Sequence, residues 1–419
     1  MRRWTKRALA SFLVVLAVAC PRPAGVPAPT GEPELRVALV VGASGVALGG
    51  DGGGELFVTD DGNGEPVGSI PAEVMWTVVP DSGGSGRVQL VKPDGTRTEP
   101  HRGIAAVNVT ENRFAMANGR RYRGRIHVIG GRAGLTLVNR VGIESYVAGV
   151  VGPEMGARRS NEMDAVLAQA VVSRSFALGH RGRWESLGFD AYADVRDQVY
   201  NGVVAETPQV WDAVRRTAGQ VLRYRGEIIE AFFHSTCGFS TAGVEEAFGT
   251  GRARPYLRPV SDASGRGHYY CDISPRFRWR EEWDGPKLRA IFSRTLPALM
   301  PLSGDGLQKI TDVAVSRTTR SGRVAELRIA FERGDVRIAA ADVRNVLRPE
   351  PDRPLQSAAF QLTVTKDGGQ VSRLVAAGVG SGHGVGMCQW GAVGRARAGQ
   401  DYRRILSTYF PGTMIERLY

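Results

Sequence analysis

The segment Ser160–Arg181, "SNEMDAVLAQAVVSRSFALGHR", constrains the fold more than any other, because it is the clearest helix pattern in the chain. Met163, Val166, Leu167, Ala170, Val171 and Leu178 recur at helical spacing and define a buried stripe. Asn161 with Asp164 gives a capping-box-like start. Gln169 and Ser173 share another face, with Arg174 beside them. The sequence before this helix reads differently. "LRVALVV", "GELFVTD", "RVQLVKP", "AAVNVT" and "GRIHVIG" are short runs of β-formers between Gly and Asp turns. The expectation is an α+β chain whose N-terminal part is β-rich.

Later segments fit the same class. "TPQVWDAVRRTAGQVLRYRGEIIEAFF" predicts a short helix, a Gly turn and a hairpin. "KLRAIFSRTLPALM" predicts a helix, and "VAELRIAFE" and "DVRIAAADV" read as strands. "DYRRILSTYFPGTMIERL" predicts a helix followed by a strand. A chain of 419 residues has room for two or three domains.

The N-terminus narrows the choice of compartment. "MRRWTKR" is basic, and "ALASFLVVLAVA" is an apolar run of 12 residues, too short to span a bilayer as a mature helix. Cys20 follows at once, as in a lipoprotein signal, although Ala17 stands where Leu is usual and Leu16 lies one place earlier. The expectation is an exported chain, held in the cell envelope by a lipid on Cys20, with plain secretion as the alternative. The proline-dense Pro21–Glu34 would be a semi-rigid tether. A net charge of +12 favours anionic partners, and export turns that preference away from nucleic acid toward acidic envelope polymers.

Four stretches carry chemistry. Glu154 in "VVGPEM" sits among apolar residues, between an expected strand and the helix. Such a carboxyl loses solvation and becomes a candidate general acid. "DAYADVRDQVYNG" offers Asp194, Asp197, Gln198 and Tyr200, suited to binding sugar hydroxyls. "HSTCGFST" places His234, Ser235 and Cys237 together. Neighbours on a strand point to opposite faces, so His234 is poorly placed to activate Ser235. His234-x-x-Cys237 and His268-x-x-Cys271 leave two readings: a tetrahedral zinc site, or a Cys237–Cys271 disulfide, which an exported chain favours. "GSGHGVGMCQWG" surrounds His383 with glycine, and Gln389 follows. It lacks the Lys-Ser/Thr of a phosphate-binding loop.

Together "NRVGIESYVAGVVGPEM", "AVLAQAVVSRSFAL", "QVYNGV", "AFFHSTCG", "YLRPV" and "GHGVGMCQWGAVGRARAGQDYRRILSTYFPGT" resemble the SpoIID/LytB family, in its motif order. The resemblance implies a peptidoglycan lytic transglycosylase that cuts MurNAc–GlcNAc bonds of peptide-stripped strands to 1,6-anhydro ends. Its catalytic glutamate falls on Glu154. The enhancer branch implies the alternative, a non-catalytic glycan binder that stimulates an amidase. No cofactor is required for either. Gln169, Arg174, Gln198, Tyr200, His234, Ser235, His383 and Gln389 are expected to line a glycan cleft. The expected organisation is a signal over 1–20, a tether over 21–34 and a β-rich domain over 35–123. A mixed α/β core follows, formed by 124–273 and 368–419, with an inserted α+β lobe at 274–367. Phe239 replaces the family's second glycine after the cysteine, which suggests a narrower loop.

Overall fold

The computed structural model describes residues 31–110, 112–249, 252–299 and 309–419. The signal, Cys20 and most of the tether lie outside the described residues. The fold is α+β. A seven-stranded sheet runs in the order Ala191–Tyr192, Glu34–Ala43, Gly134–Gly142, Arg125–Gly131, Gly103–Asn108, Leu56–Asp60, Pro66–Ile70. All its pairings are antiparallel except the first, where Val37 meets Ala191 in parallel. A five-stranded antiparallel sheet brings together Val88–Val91, Trp76–Pro80, Val46–Gly50, Ala115–Ala117 and Arg120–Tyr122. Alternate residues of both sheets, such as Leu56 and Val58 in one and Val46 and Leu48 in the other, are fully buried in one core.

That core does not stop at residue 123. Strands 125–131 and 134–142 belong to the same sheet as Glu34–Ala43, and one apolar cluster runs from Leu35 to Phe410. The β-rich part and the helical core are therefore one packed unit. The lobe has its own core. Trp283, Phe292, Leu327 and Leu374 lie at the centre of a second cluster spanning Trp279–Ala376, between two three-stranded sheets and two helices. Its core begins at Trp279, inside the expected 274–367, but runs past the expected end to Ala376, because Gln370–Val379 is the middle strand of one sheet.

Two helices carry the site. Helix α1 covers Ile143–Met155 and helix α2 covers Met163–Gly179. Helix α2 was legible in the sequence, but its start is held differently: Glu162 accepts the Arg159 N–H at 3.0 Å, while Asp164 accepts the N–H of Tyr402. Helix α1 corrects the strand-and-break expectation before Glu154. It contains Pro153 one residue before that glutamate. Proline removes the bond that would close on Gly149. The freed Gly149 carbonyl accepts instead from Asn201 N–H at 3.1 Å, so the loop after "QVY" completes the helix. Glycines at 149 and 152 permit this approach: a Cβ would stand 2.4 Å from the Tyr200 ring at 149 and 2.2 Å from the Ala205 carbonyl oxygen at 152.

Candidate functional site

Glu154 occupies the last turn of α1 and opens onto a cleft of about 1200 Å³. Its Oε2 accepts from Gln389 Nε2 at 3.0 Å, and the backbone of Val199 supplies a second hydrogen bond. Burial raises the Glu154 pKa above the usual carboxylate value, and these two donors only partly oppose it. Gln389 Nε2 also reaches Gln169 Oε1 at 3.5 Å, and Gln169 in turn donates to Ser173 at 3.0 Å. This chain of amides runs from α2 to the carboxyl.

The second wall comes from "FFHS" and the glycine-rich segment. Phe233–His234 pairs in parallel with Met387–Cys388. The crossing is tight: a Cβ on Gly386, at φ +73°, would stand 2.0 Å from the Phe232 carbonyl oxygen. Pairing places His234, Ser235, His383 and Gln389 on the cleft wall. His234 Nδ1 lies 3.1 Å from the Val385 carbonyl, which fixes that nitrogen as the donor and leaves Nε2 the acceptor. Nε2 is buried and has no hydrogen-bond partner among the described residues. His383 Nδ1 accepts from Val385 N–H at 3.0 Å. Burial holds both imidazoles neutral, each pushed down to about 3, with Arg323 adding to the effect at His234 and His234 adding to it at His383.

The other expected cleft residues serve beneath the wall. Arg174 is fully buried in a two-pronged pair with Glu144, Nε to Oε1 at 2.9 Å and Nη2 to Oε2 at 2.5 Å. Tyr200 is buried, stacks on Tyr146 at 5.2 Å and donates to Asn139 Oδ1 at 2.8 Å. Gln198 accepts from Tyr146 at 3.1 Å, and Gln169 is buried in the amide chain. None of the four lines the cleft: Gln169 belongs to the amide chain that reaches Glu154, whereas Arg174 holds Glu144 at the opposite end of α1.

Sequence reasoning missed the aromatic and basic parts of the lining. Phe176, Phe232, Phe233 and Phe248 supply flat apolar surface, and Arg181, Arg183, Arg196, Arg252 and Arg254 make its rim basic. "EAFF" reads as a buried strand, and nothing local marks Phe232 and Phe233 as half-exposed. The two aspartates differ. Asp194 pairs with Arg196 at the surface. Asp197 lines the cleft but accepts from Trp184 Nε1 and Tyr192 N–H, both at 2.9 Å, and meets Arg183 at 3.5 Å.

The expected metal quartet does not assemble. His268 is exposed and lies 3.1 Å from Asp272, and His234 faces the cleft. Cys237 and Cys271 do meet, with Sγ atoms 3.5 Å apart, but both are free thiols, so the favoured disulfide is not formed. Cys388 and Asp262 join them instead. The lobe holds this loop from outside: Arg323 Nη2 donates to the carbonyls of Cys237 and Ser240 at 3.1 and 2.8 Å. Phe239 turns toward Gly322 and Arg323, so it meets the lobe and does not narrow the cleft.

Comparison with known proteins agrees with this architecture. Residues 131–224 match the family described as Stage II sporulation protein, SpoIID, and residues 268–386 match a domain of unknown function, DUF8618. An uncharacterized protein of Brachyspira hyodysenteriae is 32% identical over 308 residues, covering 73% of this chain and 75% of that one. The Stage II sporulation protein D of Bacillus subtilis is 28% identical over 66% of this chain and 75% of its own length. The Amidase enhancer of the same organism is 27% identical over 64% of this chain, but only 40% of its own length is covered. Matched at this extent, and carrying Glu154, the "HSTCG" loop and the "GHGVGMCQWG" turn in one cleft, the chain belongs to the SpoIID/LytB family.

Proposed function

We propose that the protein is a peptidoglycan lytic transglycosylase acting through Glu154. One observation carries the reading: among the described carboxyls lining the cleft, Glu154 alone is desolvated with no cationic partner among the described residues. Asp197 meets Arg183, and Glu230 pairs with Arg254 at 3.3 Å. A hydrolase of the ordinary kind needs two working carboxylates. A lytic transglycosylase needs one. Protonated Glu154 gives its proton to the glycosidic oxygen as the C1–O bond breaks. The resulting carboxylate then takes the proton of the sugar's own 6-hydroxyl, whose oxygen bonds C1 and closes the anhydro ring. Glu154 ends protonated, and no water is consumed.

The rest of the cleft suits a glycan. Phe232 and Phe248 offer faces for sugar rings, His234 Nε2 offers an acceptor for a hydroxyl, and the five arginines favour an anionic polymer. The same proposal includes export and anchoring by a lipid on Cys20, which rests on the sequence of the first 20 residues.

The second reading is a glycan-binding partner of an amidase, favoured by the relative named Amidase enhancer. Digestion of purified glycan strands, denuded and intact, separates the two when products are read by mass spectrometry. Anhydro-ended fragments support the transglycosylase. Reducing-end fragments mean hydrolysis and turn attention to Asp197. Binding without cleavage favours the amidase partner.

A further inference from the structure

The three described cysteines and one aspartate come from three separate stretches of chain and meet in the core. Sγ of Cys237, Cys271 and Cys388 and a carboxylate oxygen of Asp262 all lie within 4.8 Å of one another. All four residues are almost completely buried, and none lines the cleft. We infer that this quartet binds one thiophilic divalent cation, zinc, as a structural site.

The geometry fits that ion. Thiolates held about 2.3 Å from a tetrahedral zinc stand about 3.8 Å apart along each edge. Cys237 and Cys271 are 3.5 Å apart, close to that edge and too far for a bond between them. Soft sulfur donors select zinc over magnesium or calcium. Four protein donors complete a tetrahedron and leave no open position, which marks a structural rather than a catalytic ion.

The surroundings are already arranged for the ligands. Cys388 Sγ accepts from the N–H of Cys237 and of Gly391, both at 3.2 Å. Asp262 is fixed by Tyr409, whose hydroxyl donates to Oδ1 at 2.6 Å, and by Arg395 at 3.2 Å. Cys271 N–H donates to Oδ2 at 3.0 Å. Such outer partners orient metal ligands. A disulfide between Cys237 and Cys271 would serve two residues of the four and leave Cys388 a buried thiol. A metal uses all of them. Binding displaces the remaining thiol protons to solvent.

The ion would tie three pieces of the fold together: the loop after Phe233–His234, the Asp262–Cys271 turn and the start of the helix Gln389–Arg397. That helix begins with Gln389, the partner of Glu154. Metal binding itself does not depend on the proposed reaction.

The test is elemental analysis and native mass spectrometry of the full chain, purified from the envelope of its expression host without chelator or added zinc. One zinc per chain is expected, lost in Cys388→Ser and retained in His268→Ala. Stripping with chelator should lower the melting temperature, and zinc should restore it. Cobalt put back into the stripped protein should show thiolate-to-metal charge transfer and tetrahedral bands. Because Cys388 is fully buried and its replacement perturbs the core, alkylation of the denatured wild type is the second measurement. Cys237, Cys271 and Cys388 should all alkylate after chelation. Metal-free protein with Cys237 and Cys271 protected from alkylation would overturn the inference in favour of the disulfide. Metal-free protein with three free thiols would overturn it as well.

Discussion

Gln389 Nε2 lies 3.0 Å from Glu154 Oε2, joining side chains 235 residues apart and linking the first turn of one helix to the last turn of another. The amide can donate to the ionised carboxyl and does not repel the protonated one. Glu154 is thereby positioned by an amide, and no cation among the described residues holds it ionised.

This contact predicts a pH effect. The Gln389 hydrogen bond lowers the Glu154 pKa against the larger opposing effect of burial. In Gln389→Ala that restraint is gone, so the pKa rises further. A reaction that starts with protonated Glu154 loses rate as pH rises through this pKa, and the falling limb of kcat/KM should therefore move to higher pH. The profile of the variant against wild type checks it; an unmoved limb would separate Gln389 from the acid.

Glu154 should also cost stability. Its folded pKa stands above the unfolded value, so its stabilising contribution is present in acid and lost as pH rises through the folded pKa. Glu154→Gln removes the ionisation. The variant is expected to melt above wild type at neutral pH, with the difference shrinking below the usual carboxylate range. Thermal denaturation across pH measures this.

Gly152→Ala tests the close approach behind the site. Alanine is the better helix former by about 1 kcal/mol. Its Cβ would nevertheless stand 2.2 Å from the Ala205 carbonyl oxygen. Overpacking of this kind costs about 1–3 kcal/mol, so net destabilisation and reduced activity are expected. Denaturant titration gives the sign.

Arg174→Met should act on folding rather than on chemistry. It strands Glu144, which is 8% exposed and also accepts from Gly219 N–H at 2.9 Å and from the Tyr419 hydroxyl. Breaking a buried pair by removing one partner costs about 3–5 kcal/mol. The denaturant midpoint should fall by a matching amount, while protein that remains folded keeps its KM for glycan.

The sequence showed helix α2 because its apolar residues recur at one spacing. It hid α1, since "VGIESYVAGVVGPEM" is apolar on nearly every side and contains glycine and proline; the Asn201 bond that completes the helix is tertiary. His234, Ser235, His383 and Gln389 were legible as a cluster of polar groups among glycines, and the structure does bring them to one wall. Arg174 and Tyr200 carry the same polar chemistry, but their buried partners Glu144 and Asn139 decide their role, and both lie far away in sequence. The thiols follow the same rule. Cys237 and Cys271 could be paired by eye, whereas Cys388 arrives through the parallel pairing of His234 with Cys388.

The central claim is that Glu154 alone moves the proton. The decisive measurement compares wild type with Glu154→Gln on denuded glycan strands, following anhydro-ended products by mass spectrometry and glycan binding in parallel. Loss of about 10²–10⁴-fold in the cleavage rate, with binding and fold intact, is predicted. Anhydro ends formed by Glu154→Gln at the wild-type rate would contradict the account.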